Sequence, residues 1–142
     1  MKQYYECKVK YLHIDQGGYE RKATANCLLS GINYTDAESK IYKKMQEHFG
    51  TFEVANIKKS NIAEAHFFEN GEFWVKVKIQ MISIDDETGK EKKISELILV
   101  MANNLEQALE RVDKKLSYLL VPYEKVAVQI SNITEVFEDE DN

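Results

Sequence analysis

The chain is poor in the residues that mark the more specialised protein classes. It has two cysteines in 142 residues, Cys7 and Cys27, and no Cys-x-x-Cys, which argues against a zinc module or a disulfide scaffold. Its six glycines form no Walker-type loop and no dinucleotide fingerprint, so little is present to cradle phosphates. No Gly-x-Ser-x-Gly nucleophile elbow occurs either. No apolar run approaches the ~20 residues that span a bilayer. The start, "MKQYYECKVK", lacks an apolar signal-peptide core, so the expected location is the cytoplasm. The single proline, Pro122, interrupts no other part of the chain.

What is present is an ordinary globular composition, 44% hydrophobic and 30% charged, in a length that suits one domain with a real core. The net charge of −5 is unevenly placed. Residues 1–72 carry ten basic and ten acidic side chains, and residues 73–142 carry nine and fourteen. Glu138, Asp139, Glu140 and Asp141 supply most of the excess, so the body is nearly neutral and the tail acidic.

The chain also repeats itself. "YYECKVKYLHID" from Tyr4 lies over "WVKVKIQMISID" from Trp74 at an offset of 70. The turn segments "QGGYE" and "DETGKE" differ by one residue, and the offset is 71 from there on. Cys27, Leu28 and Leu29 then meet Ile98, Leu99 and Val100. Ala37, Ile41 and Met45 meet Ala108, Val112 and Leu116, and Ser60-Asn61-Ile62-x-Glu64 meets Ser131-Asn132-Ile133-x-Glu135. One slip inside a loop is what a duplication tolerates.

Each copy reads as ββαβ. Alternation of Tyr5, Cys7, Val9 and Tyr11 with polar neighbours, and of Val75, Val77, Ile79 and Met81 likewise, marks half-buried first strands. Gly17-Gly18 and Thr88-Gly89 supply the turns, and second strands run about 20–30 and 90–101. Thr35 and Glu38 have the spacing of a capping box, with Gly50 ending that helix; Asn104 caps the second helix, and Pro122 stands beyond its end. Third strands cover about 52–59 and 123–130.

The expected fold class is therefore α+β: tandem ββαβ units of residues 4–67 and 73–137 with pseudo-two-fold symmetry. They form a single domain over 1–137, an antiparallel-rich sheet with two helices packed on it, followed by a tail at 138–142. Asn70-Gly71 between apolar runs predicts a hairpin that sets His66 against Val75 and Phe68 against Phe73. By symmetry Phe137 should reach the first strand near Tyr5, as in a homodimer fused into one chain. The repeated Ser-Asn-Ile-x-Glu reads as a corner of this scaffold, since Ser and Asn bond nearby backbone at bends.

No catalytic site is nominated. Cys7 and Cys27 match plain Val77 and Ile98 and read as buried thiols. His13, His48 and His66 have no ligand spacing and match Ser83, Leu119 and Phe137, so no metal or other cofactor is expected. Asp15, Asp85, Asp86 and Glu87 fall at hairpin tips, where carboxylates are solvated.

The polar sheet face is the best candidate. Tyr4, Lys8 and Lys10 share one side of their strand, and Trp74, Lys76 and Lys78 share the matching side of theirs. Arg21, Lys22, Lys92 and Lys93 enter the second strands nearby. An aromatic followed by lysines, twice, could stack bases and neutralise phosphates. The plainer reading is a solvated face whose lysines discourage edge pairing. The tail, Phe137 with Glu138, Asp139, Glu140 and Asp141, could cover a basic surface or dock on a protein partner. The expected function is a small non-enzymatic nucleic-acid-binding accessory protein, for single strands. A protein-interaction or assembly module acting through the tail and closing strands is the alternative. No membrane partner is expected.

The whole chain resembles an uncharacterised domain-of-unknown-function family of gut anaerobic bacteria and their tailed phages. The resemblance rests on "YYECKVKY", "TDAES", "FEVANIKKSN", "FWVKVK", "TGKEKK" and "ITEVF". It implies a bacterial host cytoplasm, with a bacterial or phage-borne gene, and no activity or site residues.

Overall fold

The computed structural model describes residues 2–138. Along the chain come β1 (Tyr4–Ile14), β2 (Glu20–Ser30), α1 (Tyr34–His48), β3 (Phe52–Lys59), β4 (Ile62–His66), β5 (Phe73–Ile84), β6 (Glu91–Ala102), α2 (Leu105–Lys115), β7 (Tyr123–Ile130) and β8 (Glu135–Phe137). These divide between two four-stranded sheets, β3-β1-β2-β8 and β4-β6-β5-β7, each mostly antiparallel with one helix. The fold is α+β, with a ββαβ arrangement in each of two compact units. One unit holds residues up to Ser60 together with those from Ile133 on, and the other holds Asn61–Asn132. As the repeat implied, each repeat's closing strand belongs to the other repeat's sheet.

In the first unit β1 is central. It pairs antiparallel with β2 from Tyr4 opposite Ser30 to Ile14 opposite Glu20, and with β3 from Tyr5 opposite Lys59 to Tyr11 opposite Phe52. The turn after β1 closes on Gly18, whose φ of 81° an L side chain would adopt only with strain. The odd-numbered face of β1 meets α1. Tyr5, Cys7, Val9, Cys27 and Leu29 pack with Ala37, Ile41 and Met45. The three helical residues lie four apart and so form one stripe. Fully burying a side chain such as Ile41 contributes about 1.5–3 kcal/mol.

The second unit repeats this with β5 central. Val75, Val77, Ile79, Ile98 and Val100 pack with Ala108, Val112 and Leu116. Its hairpin turns at Gly89, φ 68°. The repeat extends to an irregularity: the β1–β3 register shifts between Lys8 and Val9, and the β5–β7 register between Lys78 and Ile79, 70 residues on.

Several expectations need correction. Asn33, not Thr35, caps α1: its side chain accepts from Asp36 N at 2.8 Å, while Asp36 Oδ2 accepts from Ile32 N at 2.9 Å. The second helix repeats this 71 residues on, as expected for Asn104. Asn104 accepts from Gln107 N at 2.8 Å, and Gln107 Oε1 accepts from Asn103 N at 2.8 Å. Gly50 does not terminate α1 in a left-handed conformation. The C-cap is Phe49, in extended backbone with its ring stacked on Tyr11 at 4.2 Å, which turns the chain straight into β3.

The closing strands also pair differently from the expectation. β8 runs parallel to β2, with Phe137 opposite Leu29, and β4 runs parallel to β6, with His66 opposite Val100. The central strands could not receive them, because β1 already has β2 and β3 on its two sides and β5 has β6 and β7. Phe137 still packs against the cluster that contains Tyr5, one strand further away than expected. Asn70-Gly71 consequently makes no hairpin, since β6 lies between β4 and β5. The Asn70 carbonyl instead accepts from Asn103 Nδ2 at 3.0 Å, and Glu72 N donates to Asn103 Oδ1 at 3.0 Å.

Candidate nucleic-acid interface

Because Cα partners across a ladder point to the same face, the registers fix which side chains share the surface away from each helix. In the first unit this face carries Tyr4, Glu6, Lys8, Lys10 and Leu12 from β1. β2 adds Leu28, Asn26, Thr24 and Lys22 opposite them, and β3 adds Lys58, Asn56 and Glu53. Lys8 lies between Asn26 and Asn56, and Lys10 between Thr24 and Glu53. Lys8, Lys10, Lys22 and Lys58 are exposed. In the second unit Trp74, Lys76, Lys78 and Gln80 share the corresponding face, with Lys93 opposite Ile82 and Glu124 opposite Gln80. Lys78 and Lys93 are exposed and Lys76 is half-buried.

One expected member of each basic set falls elsewhere. Arg21 is opposite His13 and Lys92 opposite Ser83, both on the helix-side face near the hairpin tips. Arg21 Nε donates to Asp15 Oδ2 at 2.9 Å. That bond, followed by the backbone donors of Tyr19 and Gly17, holds the Asp15 carboxyl below its usual range.

The aromatic residues are not open platforms. Tyr4 and Trp74 are each 8% exposed, too little for a base to stack on either ring. Tyr4, Leu28 and Ile133 of the first unit, and Trp74, Leu99 and Ile62 of the second, are each buried but stand outside the helix-side cores. The Ser-Asn-Ile corners anchor these ends. Ser60 N donates to the Tyr4 carbonyl at 2.8 Å, and Ser131 N donates to that of Trp74 at 2.9 Å. The asparagines beside Lys8 were not recognised from sequence, because they become neighbours only once the β3 register, with its shift, is known.

Phe137 is half-buried against the first unit's core, so its ring is engaged within the chain. Glu138 is exposed, and Asp139, Glu140 and Asp141 lie outside the described residues. Cys7 and Cys27 are opposite one another on the core face, each 1% exposed and free. Burial pushes both thiols up to about 12. Among the described residues no three or more His, Cys, Asp or Glu side chains are grouped so as to hold a metal ion. No helix of the described residues is long and apolar enough to cross a membrane.

No curated protein and no solved structure matches this chain. Residues 3–139 match the family described as domain of unknown function DUF4494, and the chain belongs to that family.

Proposed function

We propose that the chain is a small non-enzymatic nucleic-acid-binding accessory protein of bacterial or phage origin, working in the cytoplasm and holding single strands by their phosphates. The observation that carries this reading is the exposed part of the first unit's sheet face, where Lys8 lies between Asn26 and Asn56 beside Lys10, Lys22 and Lys58. Lysines flanked by amides suit a phosphodiester chain, and phosphate contacts position without reading sequence. Glu6 and Glu53 on the same face keep its net charge small, so binding is weak and strongly salt-dependent. With Tyr4 and Trp74 buried, stacking contributes nothing, and the reading rests on charge and hydrogen bonding alone.

Fluorescence anisotropy with single-stranded DNA and RNA at low and moderate salt tests it. Lys8→Glu combined with Lys78→Glu weakens binding and flattens its salt dependence. Absence of binding at low salt, with and without residues 138–142, refutes the reading.

A second reading, a protein-interaction or assembly module, draws on the connection after α2, where Tyr118, Leu120 and Val121 are 65%, 100% and 42% exposed. Three neighbouring apolar side chains in water suit a protein contact. A pull-down from a bacterial host with intact and Leu120→Asp chains separates this reading from the first.

A further inference from the structure

Each sheet has a seat for a fourth strand, and in each the seat is filled from the other repeat. β8 sits beside β2 with Glu135, Val136 and Phe137 opposite Cys27, Leu28 and Leu29. β4 sits beside β6 with Glu64, Ala65 and His66 opposite Ile98, Leu99 and Val100. Occupant and seat are both offset by 71 residues, so one parallel register accepts two different sequences. Recognition is therefore mainly by backbone ladder and by one ring or imidazole turned to the core, as in strand addition. At the entrance of the first seat, Thr134 N donates to the Asn26 carbonyl at 2.8 Å. Asn26 N donates to Thr134 Oγ1 at 3.1 Å.

The two occupants differ in how they are held. β4 has chain on both sides that must stay in the fold. β8 is three residues long and is joined to the body only through Ser131-Asn132. Releasing it loses a short ladder, the Thr134–Asn26 bonds and the burial of Ile133 and Phe137, and all of these can re-form on the seat of another copy.

We infer that the β2 edge of the first unit is a strand-acceptor site for β8 of a second copy of this chain, giving a strand-exchanged dimer. The dimer makes the same contacts as the closed monomer, so concentration decides between them. The closed form is favoured up to the effective concentration of the tethered strand, on the order of millimolar for a short link. Exchange then carries Glu138 onto the neighbouring copy.

The test refolds the full chain from denaturant at about 10 μM, well below that effective concentration, and at about 1 mM, comparable to it, and reads mass by light scattering on size exclusion. A dimer fraction that grows with refolding concentration is expected. A chain with Asn26→Cys and a chain with Thr134→Cys are then refolded together at the higher concentration under oxidation. Peptide mapping is expected to find the mixed disulfide between them. The single chain carrying both substitutions closes the same link internally and sets the reference yield. Wild-type protein that emerges monomeric at both concentrations overturns the inference, as does a dimer without the mixed link between copies.

Discussion

The hydroxyl of Tyr123 donates to Asp113 Oδ1 at 2.7 Å, and 71 residues earlier the same two positions hold Phe52 and Tyr42, whose rings meet at 5.8 Å. One contact, third strand to helix, is polar in one copy and aromatic in the other. Lys125 also bonds to Asp113, where the first copy has Val54 in the equivalent place. The duplicated scaffold thus specifies where side chains meet and leaves their chemistry free.

Tyr123 should show this electrostatically. Partial burial and then the bond to Asp113 push its phenol up from 10 to about 12. Asp113 moves the other way: its own burial raises it, but the bonds from Lys125 and Tyr123 and the charge of Lys125 hold it lower. A raised phenol stabilises the fold below its unfolded value and loses that contribution as pH climbs from about 10 towards 12. The site is open to water, so the effect on stability is small. The titration itself is the readout: Asp113→Asn should bring Tyr123 back towards 10, followed by its ring carbon shift in NMR.

The helix caps give a sharper contrast. Asn33→Ala and Asn104→Ala should each cost about 1 kcal/mol in denaturant unfolding, since each leaves a first-turn N–H without its acceptor. Thr35→Ala, inside the first turn, should cost much less. Equal losses at Asn33 and Thr35 would contradict the observed cap.

This contrast also shows what the sequence made legible. Strand periods, the turn glycines, the two apolar stripes and the third-strand limits follow from local chemistry, and the duplication allowed each copy to check the other. Thr35 misled because Asn33 and Asp36 perform the same reciprocal capping two residues earlier, a pattern the second copy's Asn104 and Gln107 could have revealed. The closing strands misled because period and turn residues do not say which strand edge is vacant. Asn70-Gly71 carries a hairpin signal, yet β6 occupies the neighbouring place. The burial of Tyr4 and Trp74 was likewise hidden, since each alternates with lysines as an exposed residue would.

Gly71 is needed for closeness rather than for a hairpin. A Cβ there would lie 2.8 Å from Ala102 N and 2.8 Å from Met101 Cβ, at the end of β6. Backbone cannot give way as a flexible side-chain tip can. Gly71→Ala should destabilise the chain by about 1–3 kcal/mol, read from the unfolding midpoint. Gly50→Ala, with open space around it, is the control.

The thiols of Cys7 and Cys27 should not react in the folded protein. Burial pushes both to about 12, which leaves almost no thiolate near neutral pH. An aromatic disulfide reagent should count no thiols under native conditions and two after denaturant. Rapid native reaction would mean that the β1–β2 core opens easily.

His66 occupies in β4 the place that Phe137 occupies in β8, and its Nε2 is buried without a hydrogen bond. Glu64 Oε2 is 3.9 Å away, beyond hydrogen-bonding distance. Burial lowers the imidazole below 6.5; Glu64 opposes this and Lys115 reinforces it. The folded chain therefore takes up a proton here less readily than the unfolded chain, and stability falls as pH drops below about 6.5. His66→Phe removes both the unsatisfied nitrogen and the protonation. It should raise stability by about 1 kcal/mol near neutrality and reduce the acid-side loss between pH 7 and 5. Thermal unfolding at several pH values decides. A variant that is less stable at pH 7 and retains the full wild-type acid slope would show that the imidazole is well accommodated and that the matched position does not carry over.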